Sequence, residues 1–346
     1  MSIRNINLNT NINMPLHQAT LNYIGGVEPA LEWETRGISG HDKKRNIKLK
    51  KQRRQVDQFL NTKEGKEKLQ SFLEECSMVY HNLLSDKEWI SDYLENKKII
   101  FVIGAMRTAG TYLYTELCKI MNINWENLNL KMTHDNIPTY AYLTYWEKPS
   151  SWLPLIFEMA QFLAWAKREC MGQEAIVQKR IAYGHAIPVL DNLFGDNAEY
   201  IITVRHPGAI AESFKELEDI NMKTKKEPNG WKHFVEDRKG ISKTEWEELS
   251  YNEMVLVYWQ VYYEDVVKYG LPEGNITVLG YGQEEYEGFL KGFAQNRNKD
   301  YKPNEFKVSD RRYDDFWYSD QVKEVINQVE LWWQIHGLEF PELELK

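Results

Sequence analysis

The stretch KKIIFVIGAMRTAGTYLYTELCKIM, Lys97 to Met121, constrains this chain more than any other. Ile99 to Ile103 is a short apolar run rich in β-branched residues, as in a strand buried on both faces. Leu113, Leu117 and Ile120 recur at helical spacing, with Tyr114 and Met121 beside them, so a helix begins near Thr111. Between strand and helix lies a tight loop that holds Gly104, Arg107 and Gly110.

That arrangement favours an anion. The first backbone N–H groups of a helix have no partner inside it, and the helix dipole places partial positive charge there. A phosphate at such a terminus receives several N–H bonds at once. Gly110 allows close backbone approach, Thr108 and Thr111 offer hydroxyls, and Arg107 adds a full charge. The plain alternative is an ordinary turn between strand and helix. A Walker A loop is excluded: five residues separate Gly104 from Gly110, and Thr111 stands where the lysine belongs.

The rest of the chain extends the pattern. A second strand is expected over Ala175–Gln178, followed by Lys179 and Arg180, and then a helix over 185–194. YIITVRHPGAIAESFKEL gives a third strand–loop–helix, with Arg205 at the strand's carboxyl end and Ile210, Phe214 and Leu217 on the helix. A helix over 252–269, a strand over 276–281 and a final helix over 319–336 follow, with a polar stretch expected over 284–315. Alternating strands and helices predict an α/β fold, a central parallel sheet flanked by helices. In open α/β sheets ligands bind beyond the carboxyl ends of the strands. Arg107, Lys179 and Arg205 all fall at such ends and point to a polyanionic ligand.

The first 95 residues stand apart. Residues 1–40 are polar and read as an extended arm. KKRNIKLKKQRR (43–54) holds eight Lys or Arg, either an anion-binding tail or, as preferred, the solvated face of a helix. An apolar stripe from Val56 to Leu83 gives one or two amphipathic helices, and another helix is expected near 86–95. The division is thus a helical N-terminal extension (1–95) and an α/β domain (96–346). Residues 152–170 form a strongly apolar helix, either core or the wall of an acceptor pocket. Residues 218–250 are charged and turn-rich, a surface insertion or lid.

Composition removes several classes. Three scattered cysteines suggest neither a disulfide framework nor a zinc site, and no metal is expected. No apolar stretch of membrane-spanning length and no leader-like segment is visible, so a cytoplasmic protein without a membrane partner is the expectation. A net charge of −8 argues against nucleic acid as partner. A homodimer is carried as the oligomeric expectation, with no residue that decides it.

The loop resembles the 5′-phosphosulfate loop of sulfotransferases that use PAPS, 3′-phosphoadenosine-5′-phosphosulfate. In that family a basic residue, two hydroxyl residues and the backbone between them hold the phosphosulfate; the roles would fall on Arg107, Thr108, Ala109, Gly110, Thr111 and Tyr112. The family usually has Gly directly after the Ser or Thr; Ala109 stands there in this chain, followed by Gly110. YIITVRHPGAIAESF resembles the family's 3′-phosphate motif, in which a strand-end Arg precedes a helical Ser by eight residues, the spacing of Arg205 and Ser213. Lys179, 26 residues before Arg205, resembles the family's lysine that approaches the sulfuryl group. Tyr281 matches the start of the family's Y-E-D-L, but Gly282 and Gln283 replace the acids. Arg238-Lys239-Gly240 has the letters of the family's basic loop but comes early, and Arg311 and Arg312 lie at a more fitting place.

The resemblance covers about residues 97–283 and implies a P-loop-like sulfotransferase fold. It implies sulfuryl transfer from PAPS, leaving PAP, to a hydroxyl or amine of a small-molecule acceptor. Sulfotransferases of bacterial natural-product pathways fit, with a cationic acceptor as one guess. Arg107 and Lys179 would neutralise the leaving and equatorial oxygens. The acceptor needs a base; His134 is the first candidate and His185 the second, with Glu158, Asp191 and Glu212 behind them. A P-loop-type kinase and a non-catalytic PAP-binding module are the rivals.

Overall fold

The computed structural model describes residues 5–7, 13–16, 18–26, 41–85, 88–123, 152–170, 172–180, 184–215, 239–268, 270–272, 274–306 and 312–345. Strands β1 (Asn5–Asn7) and β2 (Asn13–Pro15) form an antiparallel pair. Helix α1 (Gln18–Ile24) follows, so the extended arm expected over 1–40 is corrected. Leu21 and Ile24 of α1 are buried, and Thr20 Oγ1 donates to Gln161 Oε1 at 2.9 Å inside the core. Seven helical residues give too short an apolar pattern to stand out in an Asn-rich stretch.

Helices α2 (His41–Leu60), α3 (Lys63–Ser85) and α4 (Trp89–Tyr93) come next. Lys50, Lys51, Arg53 and Arg54 lie exposed on α2, while Val56 and Leu60 turn inward, so this part of the basic run is a solvated helix face. The apolar stripe of α3 (Leu69, Phe72, Cys76, Val79, Leu83) joins the same buried core as the sheet.

The α/β region runs β3 (Lys98–Gly104), α5 (Gly110–Ile120), α6 (Trp152–Glu169), β4 (Ala175–Lys179), α7 (Ile187–Phe194), β5 (Ala198–Val204) and α8 (Pro207–Lys215). It continues with α9 (Lys243–Glu248), α10 (Tyr251–Val267), β6 (Ile276–Gly280), α11 (Gln283–Ala294) and α12 (Asp320–Ile335). The sheet is parallel throughout, in the order β4-β3-β5-β6. Val102 sits opposite Lys179 and Gly104 opposite Thr203.

Alternation along each strand sorts side chains to two faces. Ile100, Val102 and Ile201 pack with Leu113 and Leu117 of α5, and with Tyr286 and Leu290 of α11. Ile99, Phe101, Ile103, Tyr200, Ile202 and Val204 pack on the other face, with Ile210 and Phe214 of α8 and with Trp259 and Tyr263 of α10. The chain therefore leaves the neighbouring strands β3 and β5 toward opposite faces of the sheet. This divergence marks the topological switch point, where open α/β sheets form their ligand crevice at the carboxyl ends of the strands.

One sequence expectation changes and one alternative is narrowed. Residues 284–315 are not polar throughout: α11 buries Tyr286, Leu290 and Ala294, spaced four apart on one face. Helix α6 is buried without interruption from Leu155 to Ala166, the core alternative of the two. Of the insertion expected over 218–250, residues 218–238 lie outside the described residues. The remainder includes α9 and the N-cap of α10, and each helix is opened by a capping box, Ser242 with Glu245 and Ser250 with Glu253.

Candidate active site at the sheet switch point

The loop after β3 begins where no side chain fits. A Cβ on Gly104 would lie 2.0 Å from Thr203 Oγ1 and 2.7 Å from Thr108 Oγ1. Those two hydroxyls share a hydrogen bond of 2.7 Å. Thr108 Oγ1 also donates to the Ala105 carbonyl at 2.8 Å, and Tyr286 Oη donates to the Thr108 carbonyl at 2.8 Å. The Thr108 hydroxyl thus braces the loop against β5. Arg107 and Ala109 both have left-handed backbones, with φ of 69° and 59°. Each costs about 1–2 kcal/mol for a residue with a Cβ. Ala109 adopts the conformation for which the family's glycine is suited, and α5 starts directly after it.

Three of the expected binding residues meet. Arg107 Nε donates to Ser213 Oγ at 2.9 Å. Arg205 Nη1 donates to the Arg107 carbonyl at 2.8 Å, and the Arg205 guanidinium lies over the Tyr281 ring, 3.7 Å from its centroid. Ser213 is 2% exposed and Arg205 4%. Arg205 is set from behind by α10: Trp259 Nε1 donates to the Arg205 carbonyl at 2.8 Å, and Tyr263 Oη, one turn on, donates to the Thr203 carbonyl at 2.8 Å. Trp259, Tyr263 and Tyr286 were not among the sequence candidates. Their hydrogen bonds run to backbone carbonyls far along the chain, and no local motif announces such contacts.

Lys179 approaches from the other neighbour of β3. A Cβ on Gly110 would stand 3.1 Å from Lys179 Cε and 3.7 Å from Val102 Cγ1, so the lysine stem lies across the first residue of α5. Strands β4 and β5 flank β3. Lys179 and Arg205 are thus two strand spacings apart across the sheet, and Arg205 lies four residues further along than Ile201, the residue level with Lys179. Thr111 is exposed in the first turn of α5. Tyr112 Oη donates to the Asn304 carbonyl at 3.0 Å, and its ring meets Phe306 edge-on at 4.9 Å. Burial, then the nearby Glu116, push the Tyr112 phenol up to about 12, so it stays protonated near neutral pH.

The candidate bases separate by depth. His134 lies outside the described residues. His185 is 1% exposed, with Nδ1 3.4 Å from Asp265 Oδ2 and its ring edge-on to Tyr262. Helix α10 runs antiparallel to β5, since Trp259 meets Arg205 and Tyr263 meets Thr203. Asp265 therefore lies about 9 Å along the helix from the level of Arg205 at 1.5 Å per residue. That places His185 below the level of Arg205, buried beside Asp265. Glu158 is buried within the core helix α6. Asp191 lines an open cavity of about 700 Å³ with Lys98 and Asn197, at the amino end of the sheet and away from the loop. Glu212 neighbours Ser213 and pairs with Lys215 Nζ at 2.6 Å. Of the basic groups considered for the late loop, Arg238 and Arg311 lie outside the described residues, Lys239 pairs with Glu264 at 2.8 Å, and Arg312 is exposed.

No protein-family model and no curated protein matches the chain. Among solved structures, the sulfotransferase domain from the Synechococcus PCC 7002 olefin synthase aligns with 15% identity and a TM-score of 0.36, covering 71% of this chain and 97% of that domain. The sulfotransferase domain from the curacin biosynthetic pathway aligns with 14% identity and a TM-score of 0.35, covering 71% of this chain and 93% of that domain. Among the described residues no helix is long and apolar enough to cross a membrane.

Proposed function

We propose that this chain is a PAPS-dependent sulfotransferase acting on a small-molecule acceptor. One observation carries the reading. Residues read from two motifs about 100 residues apart, Arg107 and the pair Arg205 and Ser213, bond to one another in the crevice between β3 and β5. Lys179 stands on the far side of the same loop. A ligand with two separate anionic ends fits such a split set of cations.

The donor supplies an activated sulfuryl group on a phosphosulfate anhydride. Sulfuryl transfer resembles phosphoryl transfer, in which catalysis is mostly positioning and neutralisation of charge. In this reading the amino end of α5 and Lys179 hold the 5′ end, where charge develops on the leaving oxygen. Arg205 and Ser213 hold the 3′-phosphate. His134 remains the proposed base for the acceptor hydroxyl or amine. A natural-product acceptor, a homodimer and a cytoplasmic location complete the proposal.

Calorimetric titration with PAP, with ATP–Mg²⁺ as control, tests the reading on wild type and Arg205→Ala. Expected is PAP binding that the substitution weakens at least tenfold. Absence of PAP binding, or a preference for ATP, would return the loop to an unassigned anion site.

A further inference from the structure

We infer that Arg107 grips the 3′-phosphate together with Arg205 and Ser213, and does not serve the transferring end of the donor. The inference rests on the PAPS reading above and reverses the role that the loop's resemblance implies for its basic residue. The geometry is direct. Arg107 Nε reaches Ser213 Oγ at 2.9 Å, while the Arg107 carbonyl is held by Arg205 Nη1 at 2.8 Å. Its left-handed backbone, φ 69°, sets the direction in which the side chain leaves the loop. Arg107 therefore bonds on the α8 side of β3, whereas Lys179 packs on the β4 side, against Gly110.

Charge matching supports the same division. A terminal phosphate monoester carries nearly two negative charges at neutral pH, with three strong acceptor oxygens. Two guanidiniums and a hydroxyl match it, and guanidinium–phosphate pairs are frequently bidentate. The phosphosulfate anhydride spreads its two charges, one on the phosphate and one on the sulfuryl group. One ammonium and the amino end of a helix suit singly charged groups of that kind.

Three nucleotides separate the two roles: PAP, adenosine 5′-phosphate and adenosine 3′-phosphate, each titrated calorimetrically or by displacement of bound PAP. Wild type, Arg107→Ala, Arg107→Gln and Lys179→Ala are compared. If Arg107 serves the 3′ end, both Arg107 variants weaken PAP and adenosine 3′-phosphate at least tenfold and leave adenosine 5′-phosphate within twofold. Lys179→Ala then shows the reverse pattern. Unchanged binding of adenosine 5′-phosphate also shows that the Arg107 variants are folded. Loss of adenosine 5′-phosphate binding with adenosine 3′-phosphate spared overturns the inference and leaves the PAPS reading standing. An equal loss of both overturns it too. A wild-type protein that binds none of the three overturns the PAPS reading and the inference with it.

Discussion

The indole N–H of Trp259 donates to the carbonyl of Arg205 at 2.8 Å, inside the core and 54 residues along the chain. This bond fixes the strand-end arginine from the side opposite its guanidinium, which rests on Tyr281. Trp259→Phe removes the donor and leaves a buried carbonyl without it. The expected loss is about 2–3 kcal/mol, from the unmet acceptor and the missing ring volume. It should appear in urea unfolding as a lower midpoint with an unchanged slope. PAP affinity should fall with it. A variant as stable as wild type would show that the indole only fills space.

The loop contains two positions whose substitutions act in opposite directions. Gly104→Ala drives a methyl group to 2.0 Å from Thr203 Oγ1 and 2.7 Å from the Thr203 carbonyl. The strand pairing would have to open, at a cost on the order of 3 kcal/mol. Ala109→Gly relieves a left-handed alanine at φ 59°. Part of that relief is offset by the greater freedom of glycine in the unfolded chain, leaving a gain of about 0.5–1 kcal/mol. Thermal unfolding of both variants checks the pair. Destabilisation by Ala109→Gly would contradict the strain assigned to this position.

Much of this was legible in the sequence, and the reasons differ by element. Strands β3 and β5 are buried on both faces, so their apolar runs stand out without any alternation. Arg205 and Ser213 are set by a strand end and the helix that follows, and a fixed spacing of eight carries them. Helix α11 was missed because only one of its faces is apolar and its polar residues dominate the composition. The bracing of the loop was also hidden. Tyr286 reaches the Thr108 carbonyl across 178 residues, and the Thr108 hydroxyl turns to Thr203 across 95. Such contacts follow from the order of the strands in the sheet, which residue types alone do not encode. The backbone of Ala109 was hidden for a different reason, since alanine does not advertise a left-handed conformation as glycine does.

Glu116 is buried on α5 and accepts from Tyr301 Oη at 2.6 Å and from the Asn304 N–H at 3.0 Å. These bonds strap residues 301–304 across the helix that opens at the anion loop. Glu116→Ala leaves several donors without their acceptor and should cost about 3 kcal/mol. Amide hydrogen exchange should accelerate first over 301–306, because the strap loses its anchor while the sheet keeps its own bonds. Uniform acceleration across the sheet would instead mean that Glu116 supports the whole fold.

Lys179 is 9% exposed beside Gly110, at the amino end of α5. If it neutralises charge that develops only during transfer, removing it lowers kcat more than it raises KM for the donor. Lys179→Met keeps the apolar stem against Gly110 and removes the ammonium. The expected loss in kcat is about 100-fold, the scale for one electrostatic donor in a preorganised site. Steady-state kinetics with PAPS and a screened acceptor measure it. A purely KM-based defect would make Lys179 a binding residue only.

His206 links stability to pH. It is nearly buried beside Arg205, and its Nδ1 accepts the Gly208 N–H at 3.1 Å. Burial pushes its pKa down from 6.5 to about 4. The unfolded chain therefore takes up a proton before the native state does, so the unfolded state gains as pH falls through that window. The native protein should lose about 3 kcal/mol between pH 6.5 and pH 4 from this group, and nothing further below it. In His206→Asn the side-chain oxygen can accept the same backbone N–H two residues on. That variant should show a flatter dependence of unfolding free energy on pH over this window, measured by urea titration at pH 7 and pH 4.5. An unchanged slope would place the acid sensitivity on other groups and leave His206 as a hydrogen-bond acceptor for the start of α8.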